Sequence, residues 1–138
     1  VNLAGAIAKA HQFVTFTTPT NLQRAVAAGL TQNDTYFDTL MNDQQAKRDL
    51  IESGLRDAGF ETLHTGGTYF LSVDIRSVGF EGDDVEFCEH LIRDAGVAAI
   101  PLSAFYQAGD VRHFVRFCFC KHDDVLGAAA AKLKAHFQ

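Results

Sequence analysis

No apolar run in this 138-residue chain approaches the roughly 18–20 residues that a membrane-spanning helix requires. The opening residues Val1, Asn2 and Leu3 carry no basic segment or cleavage pattern. The expectation is therefore a cytoplasmic protein with no membrane partner. Cysteine is scarce and odd in number: Cys88, Cys118 and Cys120 have no framework spacing, which fits a reducing compartment better than a disulfide-stapled fold. Cys118 and Cys120 stand two apart in an apolar stretch, which is neither a CxxC redox motif nor a chelate, and all three thiols read as buried and inert. Basic charge is also short, with 12 Lys plus Arg against 17 acids and a net charge of -5, so the chain lacks the cationic face that nucleic acid demands. Nucleotide-binding loops of the GxGxxG and GxxxxGK[ST] kinds and the GxSxG nucleophile turn are missing, and none of the six histidines forms HxH, HxxxH or a Cys/His pair with metal-ligand spacing.

What is present suffices for one compact domain: 47% hydrophobic residues, including 12 Phe. Leu3, Ile7, Ala10 and Val14 recur at helical spacing and predict a helix over 2–14. Thr18 as N-cap with Pro19 at the first helical position predicts a second helix over 19–30, carrying Leu22, Val26 and Leu30 on one face. A third, starting at Asn33 or Asp34 and stopping at Gly59, is long and polar through its middle, as in a helix that connects domains. From there the period drops to 2. Residues 61–65 and 68–75 read as strands around a Gly66–Gly67 bend, with Tyr69, Leu71, Val73 and Ile75 on one face. Asp83 and Glu86 form a capping box for a fourth helix with a stripe of Val85, Cys88, Leu91, Ile92 and Ala95, ended by Gly96. Residues 97–100 read as a short buried strand stopped by Pro101, and a strand through Phe114–Cys120 follows. The last helix begins at Asp123, supported by His122, with Leu126, Leu133 and Phe137 facing inward. The fold class expected is α/β in the broad sense, an α+β layer: a short mixed or antiparallel sheet with helices packed on it, preceded by two helices and a long connecting helix. Residues 1–32 read as a separate helical segment and 33–138 as the α+β domain.

Within that layer Arg116 stands out, because Phe114, Val115, Phe117, Cys118 and Phe119 surround it on both faces of its strand. A guanidinium among that much hydrocarbon is costly to desolvate without an anionic partner. Two partners fit: a protein carboxylate such as Asp74 on a neighbouring strand, or a ligand carboxylate gripped through two parallel hydrogen bonds. The residues alone leave both open. The Gly66–Gly67 segment admits close approach of backbone to a ligand, although a plain turn explains it as well. The Asp83–Asp84 and Asp123–Asp124 doublets sit at helix starts, where the helix dipole accounts for them without catalysis.

Three ordered stretches carry a family resemblance: Asp84 to Cys88, then Gly96 Val97 Ala98 Ala99 Ile100 Pro101 Leu102 Ser103 Ala104 Phe105 Tyr106, then Val115 Arg116 Phe117 Cys118 Phe119 Cys120 Lys121. With Lys9 to Phe13, Phe16, Pro19 to Gln23 and Gly67 to Phe70, they make the chain resemble the C-terminal part of class I/II aminotransferases, pyridoxal-phosphate enzymes of fold type I. The methionine and kynurenine (glutamine) transaminase group is the nearest likeness. The resemblance implies that Arg116 binds the α-carboxylate of amino acid and 2-oxo acid substrates. It places Phe16 and Thr17 in a loop lining the side-chain pocket of a neighbouring subunit, and Tyr69 and Phe70 on the strand beside the substrate. Some members have an aromatic residue or His where Thr17 stands. It also implies a homodimer, and a pyridoxal 5'-phosphate held by a large domain whose Schiff-base lysine and phosphate-gripping Arg would precede residue 1. Lys9, Lys47, Lys121, Lys132 and Lys134 all lack the serine-rich setting of that lysine. The expectation is a C-terminal segment that contributes no catalytic or cofactor-binding residue and does not transaminate alone. A free-standing carboxylate-binding module is the alternative.

Overall fold

The structure, a computed structural model, describes residues 3–15, 17–107 and 109–138. The chain forms two compact units, Val1–Thr39 and Leu40–Gln138. The boundary expected at 32/33 falls just before the third helix, inside the first of these units.

The first unit contains helices α1 (Leu3–Val14) and α2 (Thr20–Leu30), neither of which buries a residue. Their apolar side chains Leu3, Ile7, Phe13, Leu22, Val26 and Leu30 are all exposed. Pro19 rather than Thr18 occupies the N-cap of α2, without a side-chain cap bond. The Thr18 carbonyl instead accepts from the Gln23 side chain at 2.6 Å. Helix α3 (Asp34–Asp57) buries only Ile51 and Leu55 near its C-terminal end.

The second unit is a helix-on-sheet layer. Strands β1 (Glu61–Thr62), β2 (Phe70–Asp74), β3 (Ile100–Pro101) and β4 (Phe114–Cys118) form an antiparallel sheet in the order β1-β2-β4-β3. The register pairs Leu71 with Phe117 and Val73 with Val115, so these four side chains lie on one face and are buried. Onto that face pack Ile51 and Leu55 of α3, Phe87 and Leu91 of α4 (Asp84–His90) and its continuation, and Leu126 and Leu133 of α5 (Asp123–Phe137). Phe60 joins them as an aromatic hub, its ring centroid 6.1 Å from Phe87, 6.2 Å from Phe117 and 5.2 Å from Phe137, edge-on in each case.

The capping box forms as expected: the Asp83 carboxylate accepts from the Val85 and Glu86 amides, and the Glu86 side chain accepts from the Asp83 amide. The stripe differs. Val85 and Ile92 are 45% and 59% exposed, while Phe87 is fully buried, because α4 turns its Phe87–Cys88–Leu91 face to the sheet and widens into a π-type turn over Leu91–Ala95 before Gly96 closes it at φ 63. The hairpin expected around Gly66–Gly67 joins β1 to β2, but residues 63–69 make the connection a long loop. The expected buried strand over 97–100 reduces to β3, an edge strand with Ile100 36% exposed, which is why Pro101 is tolerated within it. Only Cys88 is a buried thiol; Cys118 is half-buried and Cys120 exposed, since the chain leaves the sheet after Cys118. Burial, reinforced by the nearby Asp84 charge, pushes the Cys88 thiol up to about 11, so it stays protonated. His122 occupies the N-cap of α5 but makes no side-chain cap bond; its carbonyl accepts from Val125 and Leu126.

Candidate functional site

The face of the sheet opposite the helices is where Arg116 emerges. Strand alternation puts Val115 and Phe117 into the core and Arg116 on the other side, directly across from Ser72 of β2 and Ile100 of β3. Phe70 lies on the same face two residues before Ser72. Its ring centre is 4.0 Å from the guanidinium carbon of Arg116. On the opposite side, 4.1 Å away, stands the ring of Phe105, from the single 3-10 turn Ser103–Phe105 that follows β3. The guanidinium plane is thus clamped between two aromatic faces, a cation–π arrangement that holds the cation without using its hydrogen-bond donors.

Those donors have no protein partner among the described residues. No ion pair includes Arg116, and its Nε is buried without a hydrogen-bond acceptor. The structural alternative, a salt bridge to Asp74, is occupied otherwise. Asp74 at the end of β2 accepts from the Arg76 Nε at 3.0 Å and Nη2 at 2.5 Å, and from the Arg76 amide at 2.9 Å. The side-chain hydrogen bond from Arg76 holds the Asp74 carboxyl below the usual carboxylate range, against the opposing effect of its burial. Arg116 is therefore a cation without a protein acceptor among the described residues.

Arg116 lines a cavity of about 630 Å³ together with His64, Thr65, Gly66, Gly67, Thr68, Phe70, Ser72, Leu102, Phe105 and Tyr106. One wall is the β1–β2 loop. Thr68 there adopts φ 65, the left-handed region that a β-branched residue rarely enters. The loop is held from the side by Arg48 of α3, whose Nη1 donates to the Thr65 carbonyl at 3.2 Å. Among the described residues, Arg116 is the only permanently charged side chain lining this cavity, and no lysine lines it. The residues here suit the carboxylate end of a small molecule. They do not fit pyridoxal phosphate, which needs an amine for its imine and cations or amide donors for its phosphate.

Of the residues the sequence singled out, Arg116 and Phe70 come together. Tyr69 does not line the cavity; it is 50% exposed and its ring lies 4.5 Å from that of Phe70. Thr17 is exposed in the first unit, and Phe16 lies outside the described residues. The sequence reading gave no site role to Phe105, Ser72 or Tyr106. Their signal was the position of Phe105 and Tyr106 in the segment just after Pro101, and strand alternation for Ser72. A metal-ligand group of three or more His, Cys, Asp or Glu does not occur among the described residues. Two distant histidines do meet, His90 of α4 and His136 of α5, with 2.9 Å between their Nε2 atoms.

Comparison with known proteins gives the family and the fold. The chain matches the profile of the family described as aminotransferase class I and II over residues 2–133. It is 39% identical to a probable N-succinyldiaminopimelate aminotransferase of Mycobacterium tuberculosis, over 95% of this chain and 35% of that protein. It is also 39% identical to the methionine aminotransferase of Escherichia coli, over 96% of this chain and 34% of that protein. The solved structure of N-succinyldiaminopimelate aminotransferase from M. tuberculosis superimposes with a TM-score of 0.78 at 40% identity, covering 96% of this chain and 35% of that one. That of the E. coli methionine aminotransferase gives 0.75 at 39% identity, covering 92% and 33%. The chain thus spans about a third of the length of these relatives. A profile match across nearly its whole length, with the same fold in both solved relatives, makes this chain a member of the class I and II aminotransferase family.

Proposed function

We propose that this chain is the small-domain part of an enzyme that moves an amino group between an amino acid and a 2-oxo acid, and that Arg116 binds the α-carboxylate common to both. The observation that carries the reading is the unpaired guanidinium: held against the rings of Phe70 and Phe105, it lines an open cavity and has no protein acceptor among the described residues. A carboxylate received there gains charge-assisted hydrogen bonds in a fixed plane, so its orientation is set along with its affinity. Amino acid and 2-oxo acid carry the same carboxylate, and one fork serves both half-reactions. Phe70 forms part of the cavity and Tyr69 supports its ring. Phe16 and Thr17 belong, in this reading, to the surroundings of the substrate side chain at a homodimer interface. Residues 33–138 act as the domain that closes over substrate, excluding water and bringing the α-carbon to the reacting groups.

Pyridoxal phosphate, the cofactor implied by the family, belongs to residues other than those around Arg116. None of Lys9, Lys47, Lys121, Lys132 and Lys134 lines this cavity, and Lys47 is committed to Asp123 at 2.7 Å. The chain by itself is expected to recognise a carboxylate without transaminating it. The reading places the enzyme in the cytoplasm, consistent with the absence, among the described residues, of a helix able to cross a membrane.

Arg116→Ala in the longer enzyme tests the assignment. Loss of the charged partner costs roughly 2–5 kcal/mol, so kcat/KM for amino acid and 2-oxo acid falls about 30-fold or more. An amine lacking the carboxylate reacts equally with both forms. Equal kcat/KM for the natural substrates in wild type and variant would refute the role.

A further inference from the structure

Asp84 opens α4, yet its neighbour Asp83 makes the cap. The helix dipole, which suffices for a surface aspartate, does not explain why Asp84 is fully buried. One of its oxygens, Oδ2, accepts the Ser103 amide at 2.7 Å, while Oδ1 is buried without a hydrogen-bond partner. Burying a carboxylate in this way is costly, and the residue it reaches is informative. Ser103 begins the one-turn segment that presents Phe105 to Arg116.

That segment has little else to hold it. It spans three residues, far below the length at which a helical turn is stable alone. Phe105 is itself 60% exposed, so burial of its ring does not fix it. Internally the turn has the Phe105 amide on the Leu102 carbonyl at 2.9 Å and the Tyr106 amide on the Ser103 carbonyl at 3.1 Å. Two external ties fasten it. The Leu102 amide donates to the Phe114 carbonyl of β4 at 3.1 Å, and the Ser103 amide donates to Asp84. The Asp84 amide in turn donates to the Arg112 carbonyl at 2.8 Å, which joins the start of α4 to the approach to β4. A charged acceptor on a backbone amide makes the stronger, shorter class of hydrogen bond.

We propose that Asp84 is a positioning residue for the carboxylate fork: by gripping the Ser103 amide it sets the turn that stacks Phe105 on the second face of Arg116. The functional consequence rests on the carboxylate reading of Arg116, whereas the placement of Phe105 stands or falls separately. With the Asp84 bond in place the guanidinium carbon lies about 4 Å from both rings, 4.0 Å from Phe70 and 4.1 Å from Phe105. Without it the turn loses one of its two ties and Phe105 leaves the cation.

The test follows the Arg116 Nε–H resonance in the ¹⁵N-labelled 138-residue chain. Ring currents from Phe70 and Phe105 displace it from the free-arginine position, and Phe105→Leu marks where it lies with one ring removed. Asp84→Ala is expected to move it most of the way to that mark. Asp84→Asn, which keeps an acceptor for the Ser103 amide, is expected to restore the wild-type position, a rescue that a purely core-filling role would not separate from alanine. An unmoved resonance in folded Asp84→Ala overturns the proposal, as does an Asp84→Asn resonance that follows alanine. Should the alanine form fail to fold, Asp84→Ser, too short to reach the amide, is read in the same way. Hydrogen exchange of the Ser103 amide in the wild type needs no variant: exchange as fast as a free amide also overturns the proposal. None of these readouts involves substrate, so their failure is distinct from failure of the Arg116→Ala kinetics.

Discussion

At the residue scale the informative positions are those where a side chain or backbone sits against its ordinary preference. Arg116 is one, a cation on an apolar strand whose donors meet no protein acceptor among the described residues. Its exceptional character was legible in the sequence, because strand alternation needs only neighbouring residues. The identity of its partners was not. By sequence Asp74 is equally able to pair with it; in the structure Arg76, two residues along the same chain, holds that carboxylate. Thr68 is a second such position, at φ 65 beside the fork. A β-branched residue there stores on the order of 1–3 kcal/mol, partly offset in Thr68→Gly by the greater entropy glycine loses on folding. Thr68→Gly is therefore expected to raise stability by about 1 kcal/mol, seen as a higher denaturant midpoint. Should it lower the midpoint, the strain argument fails.

Elements were the best-determined level where their signals are local. The Asp83–Glu86 capping box, the Gly59 and Gly96 stops and the extent of α5 follow from residues within one or two turns. Which face of an element is buried depends on what packs against it, and there the helical stripe of α4 misled: Phe87, between two nominal stripe positions, reaches the core. The crossing of α3 and α5 is another non-local matter. A Cβ added at Gly54 would lie 2.3 Å from the Ala130 Cβ, so the helices meet there at backbone distance. Gly54→Ala would gain about 1 kcal/mol in an isolated helix. In the folded chain the clash costs roughly 1–3 kcal/mol, and the net expectation is destabilisation in urea unfolding. Adding Ala130→Gly should bring stability back near wild type, and a double variant no better than Gly54→Ala would contradict this packing. At the end of β2 the Asp74–Arg76 pair gives a pH signature. Because the Asp74 carboxyl is held low in the folded chain, its contribution is full above the unfolded-state value and is lost as pH falls through the folded one. The stability gap between wild type and Asp74→Asn is thus expected to narrow below about pH 4 in pH-dependent urea unfolding. A constant gap would show that the carboxylate charge contributes nothing there.

For the whole molecule, unequal burial separates the two units. The Leu40–Gln138 unit contains the hydrophobic cluster from Ile51 to Leu133, whereas α1 and α2 bury nothing. Amides of β2 and β4 are expected to exchange at the rate of global unfolding, and those of α1 and α2 far faster, by hydrogen-exchange mass spectrometry of this chain. Equal protection in both would mean that the helices share the cooperative unit. Short-range pattern by itself determined the helices, the alternation of the two long strands and the oddness of Arg116, because periodicity, caps and turn residues act over a few positions. Only the tertiary structure decided that Arg116 meets Phe70 and Phe105 rather than Asp74, that Asp84 is buried and tied to Ser103, and that Gly54 meets Ala130. These contacts join residues distant in sequence. They depend on strand order, register and helix crossing, which a local pattern permits without specifying.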